Sequence, residues 1–164
     1  MVISKILPLF GVSLVLASVA WGRIGETLAD CKVRYGKIND IHHWDDKLTY
    51  FCFTKGSIDV RVGLLQGKVV DIQYVLRNET GETVPFPQSE LEFLMAKNAP
   101  NQDWRLDSIR YRGGGVTRFR NKASNLIAVI GSDYSSLQIA YRPWYDEFMK
   151  DKMVDQKEMD RHGF

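Results

Sequence analysis

The residues whose types could do chemistry fall in three places. The densest is His42-His43-Trp44-Asp45-Asp46, with two imidazoles and two carboxylates in five residues. Such a set offers nitrogen and oxygen donors to a borderline or hard cation. Neighbouring side chains of an extended segment point to opposite sides, so His42 and His43 do not converge on one ion. No His-Glu-x-x-His pattern adds ligands, and the remaining histidine, His162, stands near the chain end. The expectation is a solvated polar loop over Lys37–Lys47, with Trp44 folded onto the core, no metal and no cofactor.

The second place is the cysteine pair, Cys31 and Cys52. In an exported chain an even count suggests a disulfide. This one would close a loop of about 20 residues, worth roughly 3 kcal/mol if unstrained. The other reading is two buried free thiols packing as small hydrophobes. Nucleophilic catalysis would need Cys31 or Cys52 beside His42 or His43, or a serine with a base. No Gly-x-Ser-x-Gly occurs, and Ser132 in Gly131-Ser132-Asp133 reads as a hairpin turn. No catalytic residue is assigned.

The third place is Arg110-Tyr111-Arg112-Gly113-Gly114-Gly115-Val116-Thr117-Arg118-Phe119-Arg120. Residues 101–122 hold six basic and two acidic side chains, on a chain whose formal net charge is +2. Aromatics interleave with the arginines, as at surfaces that stack on bases or sugars. A three-residue loop would set Arg110 opposite Arg118 and Ser108 opposite Arg120. Arg110, Arg112, Arg118 and Arg120 would then share one face, with Ile109, Tyr111 and Phe119 on the other. The competing reading is a solvated strand pair whose arginine stems lie over apolar neighbours.

The elements that position these residues begin after a leader. Lys5 precedes the apolar run Ile6–Ala20, and Ser18-Val19-Ala20 and Ala20-Trp21-Gly22 are small-residue cleavage sites. The run is shorter than the roughly 20 residues that span a bilayer. Residues 1–22 therefore read as a signal peptide, and the mature chain as exported, periplasmic or secreted, with no transmembrane span. Cleavage after residue 20 leaves 144 residues with 21 basic and 20 acidic side chains. That balance does not argue for nucleic acid.

Thr27 and Asp30 form a loose capping box ahead of Leu28, Cys31 and Tyr35, and Gly36 stops the helix. Leu48–Thr54, Ile58–Leu65 and Lys68–Leu76 alternate as strands, joined by short glycine-containing turns. Asn78–Pro87 reads as a linker. Ser89 then caps a second helix ending near Asn98-Ala99-Pro100, followed by strands Leu106–Arg112, Val116–Asn121, Asn125–Ile130 and Leu137–Arg142. A third helix starts at Pro143. The expected organisation is a first helix–meander module over 23–77, a linker over 78–87, a second module over 88–142, and a C-terminal helix and tail over 143–164. The expected fold class is α+β, an antiparallel meander sheet built from two helix–meander repeats with helices packed on one face. The expected core is Leu28, Tyr35, Trp44, Val60, Val62, Val70, Ile72, Phe93, Leu94, Ile127, Val129 and Ile139.

Gly25-Glu26-Thr27-Leu28-Ala29-Asp30 leading to Tyr35-Gly36-Lys37, with the later Gly67-Lys68-Val69-Val70-Asp71-Ile72, resembles the outer-membrane assembly lipoproteins of the BamE (SmpA/OmlA) type. A tandem version is similar to the β-lactamase-inhibitor-protein fold. The likeness covers about a third of the chain, and its motifs are structural turns. No lipobox cysteine follows the leader, and no contact residue of that family is carried over. The resemblance implies an exported protein-binding module. The function expected from the sequence is therefore a non-enzymatic interaction module whose partner is another protein. The alternatives are an anion binder using Arg110, Arg112, Arg118 and Arg120 toward acidic polymer or lipid headgroup, and a small exported hydrolase or metal enzyme.

Overall fold

The computed structural model describes residues 23–44, 46–99, 103–110 and 116–150; for residues 108–110 it describes the backbone. The expected leader and chain end lie outside them, as does Arg112. The order of elements is α1 (Leu28–Tyr35), β1 (Asp40–His43), β2 (Leu48–Lys55), β3 (Ile58–Leu65), β4 (Lys68–Leu76), α2 (Gln88–Asn98), β5 (Arg105–Arg110), β6 (Val116–Asn121), β7 (Leu126–Ile130) and β8 (Ser136–Tyr141). A further helix, α3, occupies 142–150. Among the described residues no helix is long and apolar enough to cross a membrane.

All eight strands form one antiparallel sheet in the order β1-β2-β3-β4-β8-β7-β6-β5. Each meander pairs in sequence, and the two meet along β4 and β8. Directly opposed residues share a face, so the register can be read across the whole sheet. One row runs Ile41, Phe51, Val62, Ile72, Ile139, Ala128, Phe119, Leu106. The next row, on the opposite face, runs Asp40, Cys52, Arg61, Gln73, Gln138, Val129, Arg118. The first face is apolar from edge to edge; the second carries a polar stripe.

The apolar face is covered by α1 and α2. Cys31 and Tyr35 from α1, and Leu91, Leu94 and Met95 from α2, join Phe53, Val60, Val62, Ile72, Tyr74, Leu137 and Ile139 in the main core. A buried chain of polar groups threads it: the Tyr35 and Tyr74 hydroxyls lie 3.3 Å apart, and Asn98 Nδ2 donates to Tyr74 Oη at 3.2 Å. The capping box is present, with Asp30 N donating to Thr27 Oγ1 and Thr27 N donating to Asp30 Oδ2.

The expected fold class needs correction. The structure is an eight-stranded antiparallel sheet with three helices, and they do not all pack on one face. Tyr145 of α3 is buried against Ile127 and Ala140, and Trp144 packs against Leu48, Tyr50 and Val70, all on the second face. Both meanders share this one sheet. The polar loop is also corrected. Asp40–His43 is an edge strand with all four residues exposed, which is why no apolar alternation marks it. Trp44 is 53% exposed rather than core, and Phe93 is 39% exposed. Ser89 is not the cap of α2: Pro87 occupies that position, with no side-chain hydrogen bond.

Candidate functional site

The sequence-selected residues fall in separate places, except that Asp40 pairs with Cys52 and His42 with Tyr50, which puts Cys52 and the Asp40–His42 pair on one face. His42 Nε2 lies 3.0 Å from Asp40 Oδ2 on the exposed strand β1, and His43 Nδ1 lies 3.2 Å from Thr49 Oγ1. Among the described residues no group of three or more histidine, cysteine, aspartate or glutamate side chains could hold a metal ion. Cys31 is a free thiol on the buried face of α1, and burial pushes its pKa up to about 12. Cys52 is also free, on the stripe face of β2, and burial raises its thiol as well. The two cysteines lie on opposite sides of the sheet, because Phe51 and Phe53 face α1 and Cys52 between them does not. Native protein should therefore give up one thiol to a maleimide (Cys52, slowly) and both in denaturant. Mass spectrometry reads the count, and a chain that yields none in denaturant would be disulfide-bonded.

The arginine hairpin has a different register from the one expected. Arg110 pairs with Val116 and Ser108 with Arg118; a bulge follows, after which Leu106 pairs with Phe119 and Arg105 with Arg120. Arg110 therefore does not oppose Arg118, and Ser108 does not oppose Arg120. Asp107 is the extra residue, and its carboxylate holds Arg120 Nη2 at 2.9 Å. Arg118 lies against α3, its guanidinium carbon 5.4 Å from the Tyr145 ring centroid and Nη2 donating to Tyr145 Oη at 3.4 Å. Both side chains are only partly exposed; each uses Nη2 within the fold, while its buried Nε has no hydrogen-bond partner among the described residues. The side chain of Arg110, and Arg112 altogether, lie outside the described residues.

Two features the sequence did not single out are better formed. The first is a polar hub on the second face. Asp71 of β4 is wholly buried. Its carboxylate accepts from Gln138 Nε2 at 2.9 Å, Gln73 Nε2 at 2.9 Å and Tyr50 Oη at 3.1 Å. Burial pushes its pKa up to about 6, against those three donors and the Arg61 cation. Arg61 lies 4.1 Å over the Tyr50 ring. Tyr50 in turn lies over Gly63, where any Cβ would come within 2.8 Å of its ring.

The second feature is an apolar groove on the first face, between α2 and the β5–β6 hairpin. Leu91 and Met95 form one wall, Phe119 and Ile130 the floor, and Trp104 closes one end; its volume is about 340 Å³. Trp104 Nε1 donates to the Met95 carbonyl at 3.0 Å, which fixes the indole against the helix. Leu106, at the end of the apolar row, is 57% exposed. β5 beside it is an edge strand. Gln88 and Glu92 are the polar members of its lining; the groove can bind by removing apolar surface from water.

No family model matches the chain, and no curated protein matches it. Among solved structures it is similar to a cysteine-rich secretory protein from Staphylococcus aureus subsp. aureus Mu50, with 8% identity, 74% of this chain and 45% of that chain covered, and a TM-score of 0.43. It is also similar to an extracellular protein containing an SCP domain from Bacillus anthracis str. Ames, with 11% identity, 85% and 50% covered, and a TM-score of 0.42. The chain spans about half the length of these structures.

Proposed function

We propose that this chain is an exported, non-enzymatic interaction module that takes up an apolar segment of another protein in the groove between α2 and the β5–β6 hairpin. The observation that carries the reading is the exposure of Leu106 on the edge strand β5, opposite the groove residue Phe119. A large apolar side chain exposed at the rim of an apolar groove marks a contact surface. The leader at 1–22 supports export. Cys31 lies on the other side of the sheet from Cys52 and His42, and burial raises both thiols above their ordinary range, which supports a binding role over catalysis. The arginine hairpin supports an anion-binding role less well, since Arg118 and Arg120 are engaged with Tyr145 and Asp107.

A photo-crosslinking residue at position 106 tests the proposal against one at Val33, which is 91% exposed on α1. The expected result, in cells producing the full chain, is one adduct of defined mass from position 106. It should be absent from position 33 and lost when Phe119→Asp is added to a chain that still melts cooperatively. The same adducts from both positions would overturn the reading.

A further inference from the structure

We propose that Asp71 is a proton switch built into the second face of the sheet, strengthening the fold when the surroundings turn mildly acidic. The geometry is unusual for a structural carboxylate. Asp71 is wholly buried. It stands on β4 at the strand pair that joins the two meanders, and its partners come from three strands: Tyr50 from β2, Gln73 from β4 and Gln138 from β8. A buried ion is costly unless a countercharge meets it. All three partners are neutral donors. Among the described residues the one cation bearing on the carboxylate is Arg61 of β3, which stacks on Tyr50 and does not hydrogen-bond Asp71.

The hub can also accommodate the neutral acid. A protonated Asp71 must donate one hydrogen bond, and Tyr50 Oη at 3.1 Å is an oxygen that can accept it. Either glutamine can turn its amide and offer Oε1 instead. Taking up a proton thus exchanges the direction of one hydrogen bond and removes a buried charge, with no group forced out of the core. From α3, packed over this face, Trp144 and Tyr145 point inward. Its Arg142 and Asp146 pair with each other at 3.3 Å, and Glu147 and Lys150 are exposed. On β1 the Asp40–His42 pair is exposed at the far edge.

The direction follows from linkage. Burial raises the folded-state pKa of Asp71 from 3.8 to about 6. Between those values the folded chain holds more protons than the unfolded one, so stability rises as pH falls through about 6. Asp30, Glu82 and Asp133 act in the opposite sense. Hydrogen bonds depress their pKa values, and their contributions are lost only as pH falls below the ordinary carboxylate range. Of these four carboxyl groups, Asp71 alone changes charge in the window from pH 7.5 to about 5.

The test is the melting temperature of the full mature chain across that window, for wild type and Asp71→Asn. Wild type should melt about 5 °C higher at the acid end, and Asp71→Asn should lose that rise. His42 and His43 are unchanged between the two proteins, so the difference belongs to position 71. In parallel, the wild-type Asp71 side-chain carboxyl carbon is followed by NMR; a midpoint near 6 is expected. Equal pH slopes in the two proteins, or a wild-type carboxyl that titrates in the ordinary range, would overturn the switch. Should Asp71→Asn fail to fold, the carboxyl titration alone decides.

Discussion

Val62→Asp should leave the chain without a cooperative melting transition at neutral pH. Val62 is wholly buried in the central strand β3. Phe51 lies opposite on one side and Ile72 on the other, with Val60 and Leu64 two residues away on the same face. No cation faces that position among the described core residues, so the carboxylate must either ionise without a partner or carry a proton it would not hold in water. Loss of the buried valine costs about 1.5 kcal/mol or more. The unpaired acid adds several more, through desolvation or through the pKa shift that avoids it. The sum reaches a large part of the roughly 5–15 kcal/mol that holds a domain together. Ile41→Asp is the matched control. Ile41 stands in the same row of the same face but at the edge, 47% exposed, and should shift the melting temperature little. Circular dichroism melts of both proteins read the result. A Val62→Asp chain that melts like wild type would mean that this row does not face the core.

The same row shows how much of the fold could be read in the sequence. Val60, Val62, Ile72 and Ile139 alternate cleanly because their strands are buried on the helix side, and period two records that burial directly. Thr27, Asp30 and Gly36 announced α1 because capping is a local interaction within a few residues. What failed was not local. β1 is an edge strand with both faces wet, so Asp40–His43 carries no alternation and passes for a loop. The side on which α3 packs depends on Trp144 and Tyr145 meeting Tyr50 and Ile127, contacts no helical periodicity encodes. The hairpin register differed because Arg110 pairs with Val116, leaving five residues between the strands in place of three. Apolar grouping fixes which residues share a face, and Arg110, Arg118 and Arg120 do, but it does not fix the length of the connection. Asp71 was hidden between Val70 and Ile72 in an apolar run. Two of its partners, Tyr50 and Gln138, lie 21 and 67 residues away in sequence. The groove at Leu106 was missed for a similar reason: an exposed leucine on an edge strand looks the same in sequence as a buried one.

Gly63→Val should cost about 3 kcal/mol, with the loss traceable to one ring. Gly63 has no positive φ, so its requirement for glycine is spatial and not conformational. A Cβ there would lie 2.8 Å from Tyr50 Cε1, 3.2 Å from Tyr50 Cζ and 3.3 Å from Asp71 Cβ. The first contact is shorter than real Cβ atoms tolerate, and it falls on the middle of a ring with no flexible end to swing away. Tyr50 cannot yield freely. It is 2% exposed, packed with Leu48, Val70 and Trp144, capped by Arg61, and tied through its hydroxyl to Asp71. Moving it opens the hydrogen bond to a buried carboxylate and loosens the seat of α3. Overpacking of this kind costs about 1–3 kcal/mol, and a broken bond to a buried ionised group places the loss at the upper end. A double-mutant cycle separates this cause from a general intolerance of side chains on β3. Tyr50→Ala alone should destabilise by leaving a cavity, as large-to-small changes in cores do. In the Tyr50→Ala background Gly63→Val should then be close to neutral, because the valine enters the space the ring has left. Urea denaturation of the four proteins gives a coupling energy on the order of 2 kcal/mol if the ring is the obstacle. Additive losses would place the obstacle elsewhere, at Asp71 Cβ or the backbone of β3, and the packing of Tyr50 on Gly63 would not be what keeps that position bare.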